Sequence, residues 1–264
     1  MDTRALIWPS PSRKGTLLMS LWPVFANRIL SGFKPYFGKL DQVFNRLLSS
    51  QCALVHPLLE TKPESCVCLC LITSDGGLCG VYNNNIIRFA EDFINQKGKD
   101  KVKLVIVGKK GFNYFKNRQM QILNSYVGLN GRYSQNSADQ ISALLIDIFL
   151  KNQASEVYVA YTHFERTIIH KPKLVKLLNI DIPAAVGKRY ILEPGIDLML
   201  NDFILKYIYS KMRLTLLESF ATEHASRAVA MKSATDNAKE LSQGLILLRN
   251  KVRQASTTLP NQQW

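Results

Sequence analysis

The sequence predicts an α/β protein in which a three-layer, Rossmann-like domain is inserted between an N-terminal helix and a much longer C-terminal helix, the two helices forming an antiparallel coiled coil. Three observations predict it. Strand-like apolar runs alternate with amphipathic segments through the middle of the chain, the pattern of a mainly parallel sheet covered by helices. From Ile196 to Thr258 no proline occurs; Pro194 and Gly195 punctuate the start, and Asp197 is placed as an N-cap. A further amphipathic stretch lies on the other side of the α/β segment, before Leu59.

The C-terminal helix organises the chain. At ~1.5 Å per residue, roughly 60 residues span about 90 Å, more than a domain of this size needs, so the helix must protrude. Its seam advances in alternating steps of four and three through Ile196, Leu200, Phe203, Tyr207, Ser210, Leu214, Leu217, Ala221, His224, Ala228, Met231, Thr235 and Ala238. After a stammer it resumes at Leu241, Leu245, Leu248, Val252 and Ala255. The small residues at its waist let a partner helix approach closely, which describes a slender shaft.

Length and composition set the bounds. The 264 residues, 47% of them hydrophobic, suffice for one large domain with an extension. A net charge of +14 favours an acidic partner, be it nucleic acid, an anionic membrane surface or an acidic protein. Five cysteines, Cys52, Cys66, Cys68, Cys70 and Cys79, crowd one apolar region, as free thiols of a reducing compartment do. No run approaches the ~20 apolar residues of a membrane span.

The elements follow in order. Residues 1–24 are read as a poorly defined terminus. Arg4, Arg13 and Lys14 precede the apolar run Leu17 to Phe25, but Pro23 cuts that run and free cysteines do not suit export, which weighs against a secretory signal. Residues 25–60 form the N-terminal helix, most clearly from Ser31 to Leu59, with Pro35 in its first turn or at a kink and Pro57 closing it. The α/β domain covers residues 65–194. Cys66 to Ser74 is a buried strand, Asp75 to Gly77 a turn and Tyr82 to Gln96 a helix. Lys103 to Val107 is a second strand, followed after Gly108 by a short helix through Phe115. Residues 119–135 are mixed, Gln140 to Leu150 is a helix and Glu156 to Phe164 a third strand. Arg166 to Leu178 adds an edge strand or hairpin. The shaft helix takes residues 196–258 and a tail 259–264.

The motifs give little support to catalysis. Ser74-Asp75-Gly76-Gly77-Leu78-Cys79-Gly80 sits where a dinucleotide-binding fold keeps its phosphate loop, but it does not match G-x-G-x-x-G and no acid ends the second strand. Gly187 and Lys188 lack the remainder of a P-loop. Cys66, Cys68 and Cys70 alternate along a strand and cannot converge on a metal. His56, His163, His170 and His224 fall in no zinc-binding spacing, and no nucleophile elbow occurs. No cofactor or metal is therefore expected, and a catalytic site has little support. Arg249, Lys251 and Arg253 in the last turns suit either the helix dipole or an acidic partner, and their spacing does not choose between these.

Two stretches together resemble the gamma subunit of F-type ATP synthase. Ile72-Thr73-Ser74-Asp75-Gly76-Gly77-Leu78-Cys79-Gly80 with Asn83 is similar to that family's I-T-S-D-[KR]-G-L-C-G-G-x-N. Glu218 to Ala255, with Ala228, Met231, Thr235, Asp236 and Asn237 in its most specific part, is similar to S-E-x-A-A-R-M-x-A-M-x-x-A-T-D-N-A and N-K-A-R-Q-A. The similarity runs in register from roughly residue 25 to Thr258. It implies a non-catalytic rotor shaft within a hexamer of alpha and beta subunits, meeting an epsilon-type subunit and the membrane c-ring at its foot, with no nucleic acid and no membrane span of its own. Such a subunit couples rotation of the proton-driven ring to conformational cycling of the catalytic beta subunits.

The resemblance further implies that Arg253 and Gln254 meet an acidic loop of beta, and that Glu223 and Arg227 lie where shaft and beta are coupled. It places the chain peripherally on an energy-coupling membrane, on the cytoplasmic face in a bacterium or on the matrix or stroma side in an organelle. Departures are Gly76 in place of a basic residue, Val81 in place of glycine, the lack of a match before about Phe25, and Pro260 where the family's helix continues. The rival readings are a small α/β nucleotide-using enzyme with a helical tail, a degraded gamma copy, and a nucleic-acid binder drawn by charge.

Overall fold

The structure, a computed structural model, describes residues 13–50, 56–63, 66–164, 170–180 and 196–258. Among the described residues five α-helices and five strands follow one another as α1 (Arg13–Ser50), β1 (Val67–Ile72), α2 (Tyr82–Lys97), β2 (Val102–Val107), α3 (Lys109–Lys116), β3 (Ile122–Tyr126), α4 (Gln135–Leu150), β4 (Glu156–Phe164), β5 (His170–Leu178) and α5 (Ile196–Thr258). The start signals Pro194 and Gly195, the turn at Gly187 and Lys188, Arg166, Cys52 and the tail 259–264 lie outside the described residues.

The strands form one sheet in the order β3-β2-β1-β4-β5, parallel except for β5, which runs antiparallel to β4. β1 lies at the centre, and every one of its residues is buried, as a strand covered on both faces requires. Its side chains divide by parity. Cys68, Cys70 and Ile72 enter a core shared with α1, α4 and α5; Val67, Leu69 and Leu71 enter a second core shared with α2 and α3. Burial pushes the Cys68 thiol up to about 12 and raises Cys70 further, so both serve as small apolar packing groups.

α5 has the predicted bounds, and α1 packs along it. Phe44 stacks on Tyr207 with ring centroids 3.9 Å apart, Phe37 and Phe203 extend the aromatic contact, and the Tyr207 hydroxyl donates to Asp41 at 2.8 Å. Leu30 packs with Leu217 and Ala221 farther along. Burial is not confined to the expected seam, because Ile204, Ile208, Met212, Leu216 and Phe220 are buried too. From Thr215 to Glu223 nine consecutive residues are buried, since here the helix is enclosed by α1 and by the domain.

Three expectations are corrected. The first helix spans Arg13–Ser50, whereas the sequence predicts its clear part at Ser31 to Leu59 and a poorly defined terminus over residues 1–24. Pro23 and Pro35 both lie inside it: proline's fixed φ is helical, and the lost hydrogen bond is tolerated in a long helix packed on a neighbour. β3 occupies part of the stretch read as mixed. It is a short edge strand interrupted by Asn124 and Ser125, only half-buried, and so it carries no apolar alternation. α4 starts at Gln135, five residues earlier than its apolar period shows, after Ser134 in extended conformation; its first turns are polar.

Candidate functional site

The two motif-bearing stretches meet where β1 delivers the chain to α5. β1 is followed by Thr73, whose buried hydroxyl donates to the Val107 carbonyl at 2.9 Å and accepts from the Gly111 amide at 3.0 Å. The close approach requires Gly108, at φ +99, because a β-carbon there would collide with the Thr73 carbonyl. Next, Ser74 and Asn83 interlock. The Asn83 Oδ1 accepts from the Ser74 amide at 3.0 Å, while its Nδ2 donates to Ser74 Oγ at 2.8 Å and to Cys79 Sγ at 3.1 Å. The Ser74 hydroxyl donates to the Gly76 carbonyl at 2.7 Å. Asn83 thus holds the motif loop closed from the first turn of α2.

Asp75 joins three loops. Its Oδ1 accepts from the amide of Lys109, the first residue of α3, at 2.9 Å, and its Oδ2 from the amide of Asn130 at 2.7 Å. A carboxylate at a helix N-terminus satisfies an unpaired donor and complements the dipole. These bonds, with Lys110 amide to Ser74 carbonyl at 3.1 Å, satisfy backbone donors at the start of α3 and in the loop after β3. At the loop tip, Leu78 adopts φ +60 with its side chain 70% exposed, beside Gly80 at φ +57 and Val81 at 67% exposed. A leucine in the left-handed region, turned to solvent, is costly for folding alone.

α5 faces this loop with Ser219, Glu223 and Arg227. Tyr82 of α2 is hydrogen-bonded through its hydroxyl to Ser219 Oγ at 2.7 Å, and burial pushes its phenol well above the usual range. The Arg227 guanidinium donates to Glu223 Oε1 at 2.6 Å and, through Nε, to the Gly77 carbonyl at 3.3 Å. Gly76 leaves room beside that guanidinium, which lies 3.4 Å from where a β-carbon would stand. The Glu223 carboxyl is 1% exposed and its Oε2 lacks a hydrogen-bond partner. Burial raises its pKa, against the lowering by Arg227 and His224, and Asp75 adds to the rise. The next residue, His224, has Nε2 at 2.9 Å from the carbonyl oxygen of Gly131, and Gly131 itself sits at φ +67.

The candidate residues therefore fall into three groups. Asp75, Gly77, Leu78, Cys79, Gly80 and Asn83 form one loop, pinned to Glu223 and Arg227. Glu223 is turned into the chain, where its carboxylate pairs with Arg227. Ala228 and Met231 are half-buried just beyond, and Thr235, Asp236 and Asn237 are exposed, the Thr235 hydroxyl donating to the Met231 carbonyl at 2.8 Å. Arg253 and Gln254 are exposed on the far turns of α5, distant in sequence from this junction.

Sequence reading missed a second junction. Glu218 is buried, with Lys34 Nζ of α1 at 3.0 Å and His163 Nδ1 of β4 at 2.6 Å from its two oxygens. An acid inside an otherwise apolar helical face is a signal that a partner cation is needed. Among the described residues no cluster of His, Cys, Asp or Glu is placed to hold a metal. A 520 Å³ cleft between α1, α4 and α5 is lined by Tyr36, Lys206 and Tyr209 among others, but its Arg213 is held bidentately by Asp139 at 2.8 and 3.0 Å.

Comparison with known proteins gives concordant results. A family model described as ATP synthase matches residues 25–259. An ATP synthase gamma chain of Desulfitobacterium hafniense is 37% identical over 226 residues, covering 85% of this chain and 80% of that one. One from Heliobacterium modesticaldum is 36% identical over 238 residues, covering 85% and 81%. Among solved structures, the central stalk and c-ring of the Tetrahymena thermophila mitochondrial ATP synthase aligns with a TM-score of 0.56 at 21% identity, over 83% of this chain and 99% of that one. The Euglena gracilis mitochondrial ATP synthase rotor aligns with the same TM-score at 16% identity, over 92% and 96%.

Proposed function

The chain belongs to the ATP synthase gamma-chain family, and from that premise we propose that it is the central-stalk rotor subunit of an F-type ATP synthase. In this role it carries out no bond chemistry. It turns with a proton-driven membrane ring inside a hexamer of alpha and beta subunits, and its asymmetry drives each beta subunit through its binding states. An epsilon-type subunit and the c-ring meet the foot, and the chain stays peripheral to the membrane. Among the described residues no helix is long and apolar enough to cross one.

The observation that carries this reading is the reach of α5 beyond its own domain. From Lys232 to Thr257 every residue except Asn250 is exposed, although the helix continues unbroken. In proteins most helical stability comes from packing of an apolar face rather than from propensity, so an exposed arm with apolar positions calls for a partner. α1 and α5 form the antiparallel coiled coil of the shaft, and Arg253 and Gln254 contact an acidic loop of beta. Glu223 and Arg227 act from inside, holding the Leu78 loop against the shaft. The family match and the gamma-chain relatives weigh against the nucleotide-using enzyme. Co-expression with alpha and beta subunits tests the proposal: a stoichiometric complex is expected, and a chain that purifies apart from both would overturn it.

A further inference from the structure

We propose that the unassembled chain pairs with a second copy of itself through the end of α5, antiparallel, about a two-fold axis between Ile246 and Leu247. The face is Leu241, Leu245, Leu248 and Val252, between 57% and 69% exposed and spaced in coiled-coil steps of four, three and four. The described part of α1 does not cover it. α1 runs antiparallel to α5, with Phe44 on Tyr207 and Leu30 against Leu217 and Ala221. At equal rise along both helices, Arg13 comes level with about residue 237, short of Leu241.

The pattern is self-complementary, as a two-fold interface demands. Reversal about the stated axis sets Leu241 against Val252, Leu245 against Leu248 and Ala238 against Ala255. Charge selects the direction. An antiparallel pair brings Glu240 level with Arg253 twice over, and sets Arg249 and Lys251 level with Gly244 and Ser242. A parallel pair instead aligns Lys239, Arg249, Lys251 and Arg253 each with its own copy, a column of like charges that repels. Four large side chains per copy bury less than the roughly 1,200 Å² of a stable interface, so the dimer is weak, with Kd in the micromolar range. It concerns the chain by itself and stands or falls independently of the rotor reading.

Sedimentation equilibrium of the full chain tests it. A monomer–dimer equilibrium with Kd on the order of 10 µM is expected. Leu245→Asp should raise Kd at least about tenfold, because it places a charge in the seam, whereas Leu150→Asp, at an exposed leucine of α4, should leave it unchanged. Glu240→Arg should weaken the dimer, and the combined Glu240→Arg and Arg253→Glu exchange should restore it. A chain that stays monomeric at about 100 µM overturns the proposal. So does a dimer indifferent to Leu245→Asp, and failure of the charge exchange to restore binding overturns the antiparallel arrangement.

Discussion

Arg227 of α5 donates from Nε to the carbonyl of Gly77 at 3.3 Å while its NH2 group pairs with Glu223 at 2.6 Å. One side chain thereby ties the motif loop to the shaft and pairs with the buried Glu223 carboxylate beside it. The arrangement makes the loop's position depend on the helix, which is what a subunit transmitting motion between the two requires.

Removing that tie should be expensive. Arg227→Ala leaves Glu223 buried without its cation, and breaking a buried pair costs about 3 to 5 kcal/mol. Urea unfolding should show a loss at the lower end of that range, since Arg227 retains 18% exposure. Amide exchange should speed up at Gly77 to Gly80 before it does so in β1.

Glu223→Gln should have the opposite sign at high pH. A carboxyl whose folded-state pKa is raised favours the folded state below its unfolded pKa and loses that contribution as pH rises through the folded value. The amide carries no charge to desolvate, so the variant should match the parent at low pH. Above the folded pKa it should gain on the parent by up to about 1 kcal/mol. A pH series of unfolding midpoints measures the difference, and a variant that falls increasingly behind as pH rises contradicts the assignment.

The seat of α1 rests on Phe44, which is fully buried and stacked on Tyr207 at 3.9 Å. Phe44→Ala should cost about 3 to 5 kcal/mol and release α1 from α5. Proteolysis should then cut α1 preferentially while the sheet stays protected.

Arg253 is exposed on the last turns of α5. Arg253→Ala should therefore change the stability of the isolated chain by less than about 0.5 kcal/mol. In the assembled synthase it should weaken the coupling of proton flow to ATP synthesis. Unchanged coupling would remove Arg253 from the partner contacts.

The C-terminal helix was legible to the residue because a proline-free stretch with periodic apolar positions needs no tertiary information. The central strand was legible for the same reason, being apolar throughout. β3 was hidden because Asn124 and Ser125 break its period, and its strand character comes from pairing with β2. The start of α1 was hidden because Pro23 and Pro35 read locally as breakers. At the site, both motifs could be recognised as motifs, but the contact of Arg227 with Gly77 spans 150 residues and exists only after folding. The Glu218 junction with Lys34 and His163 likewise draws one member from each of three elements.

The nine consecutive buried residues from Thr215 to Glu223 have a mechanical consequence. A helix held on all sides over two and a half turns and bare beyond Met231 is a cantilever clamped at a collar. The free arm, some 27 residues at ~1.5 Å each, is about 40 Å long. A tilt of about 5° at the collar therefore displaces the tip by roughly 3.5 Å, about the width of a van der Waals contact. The stiffness of the collar, set by Tyr82 on Ser219, Lys34 on Glu218 and Arg227 on Gly77, fixes how faithfully a turn at the foot arrives at Arg253.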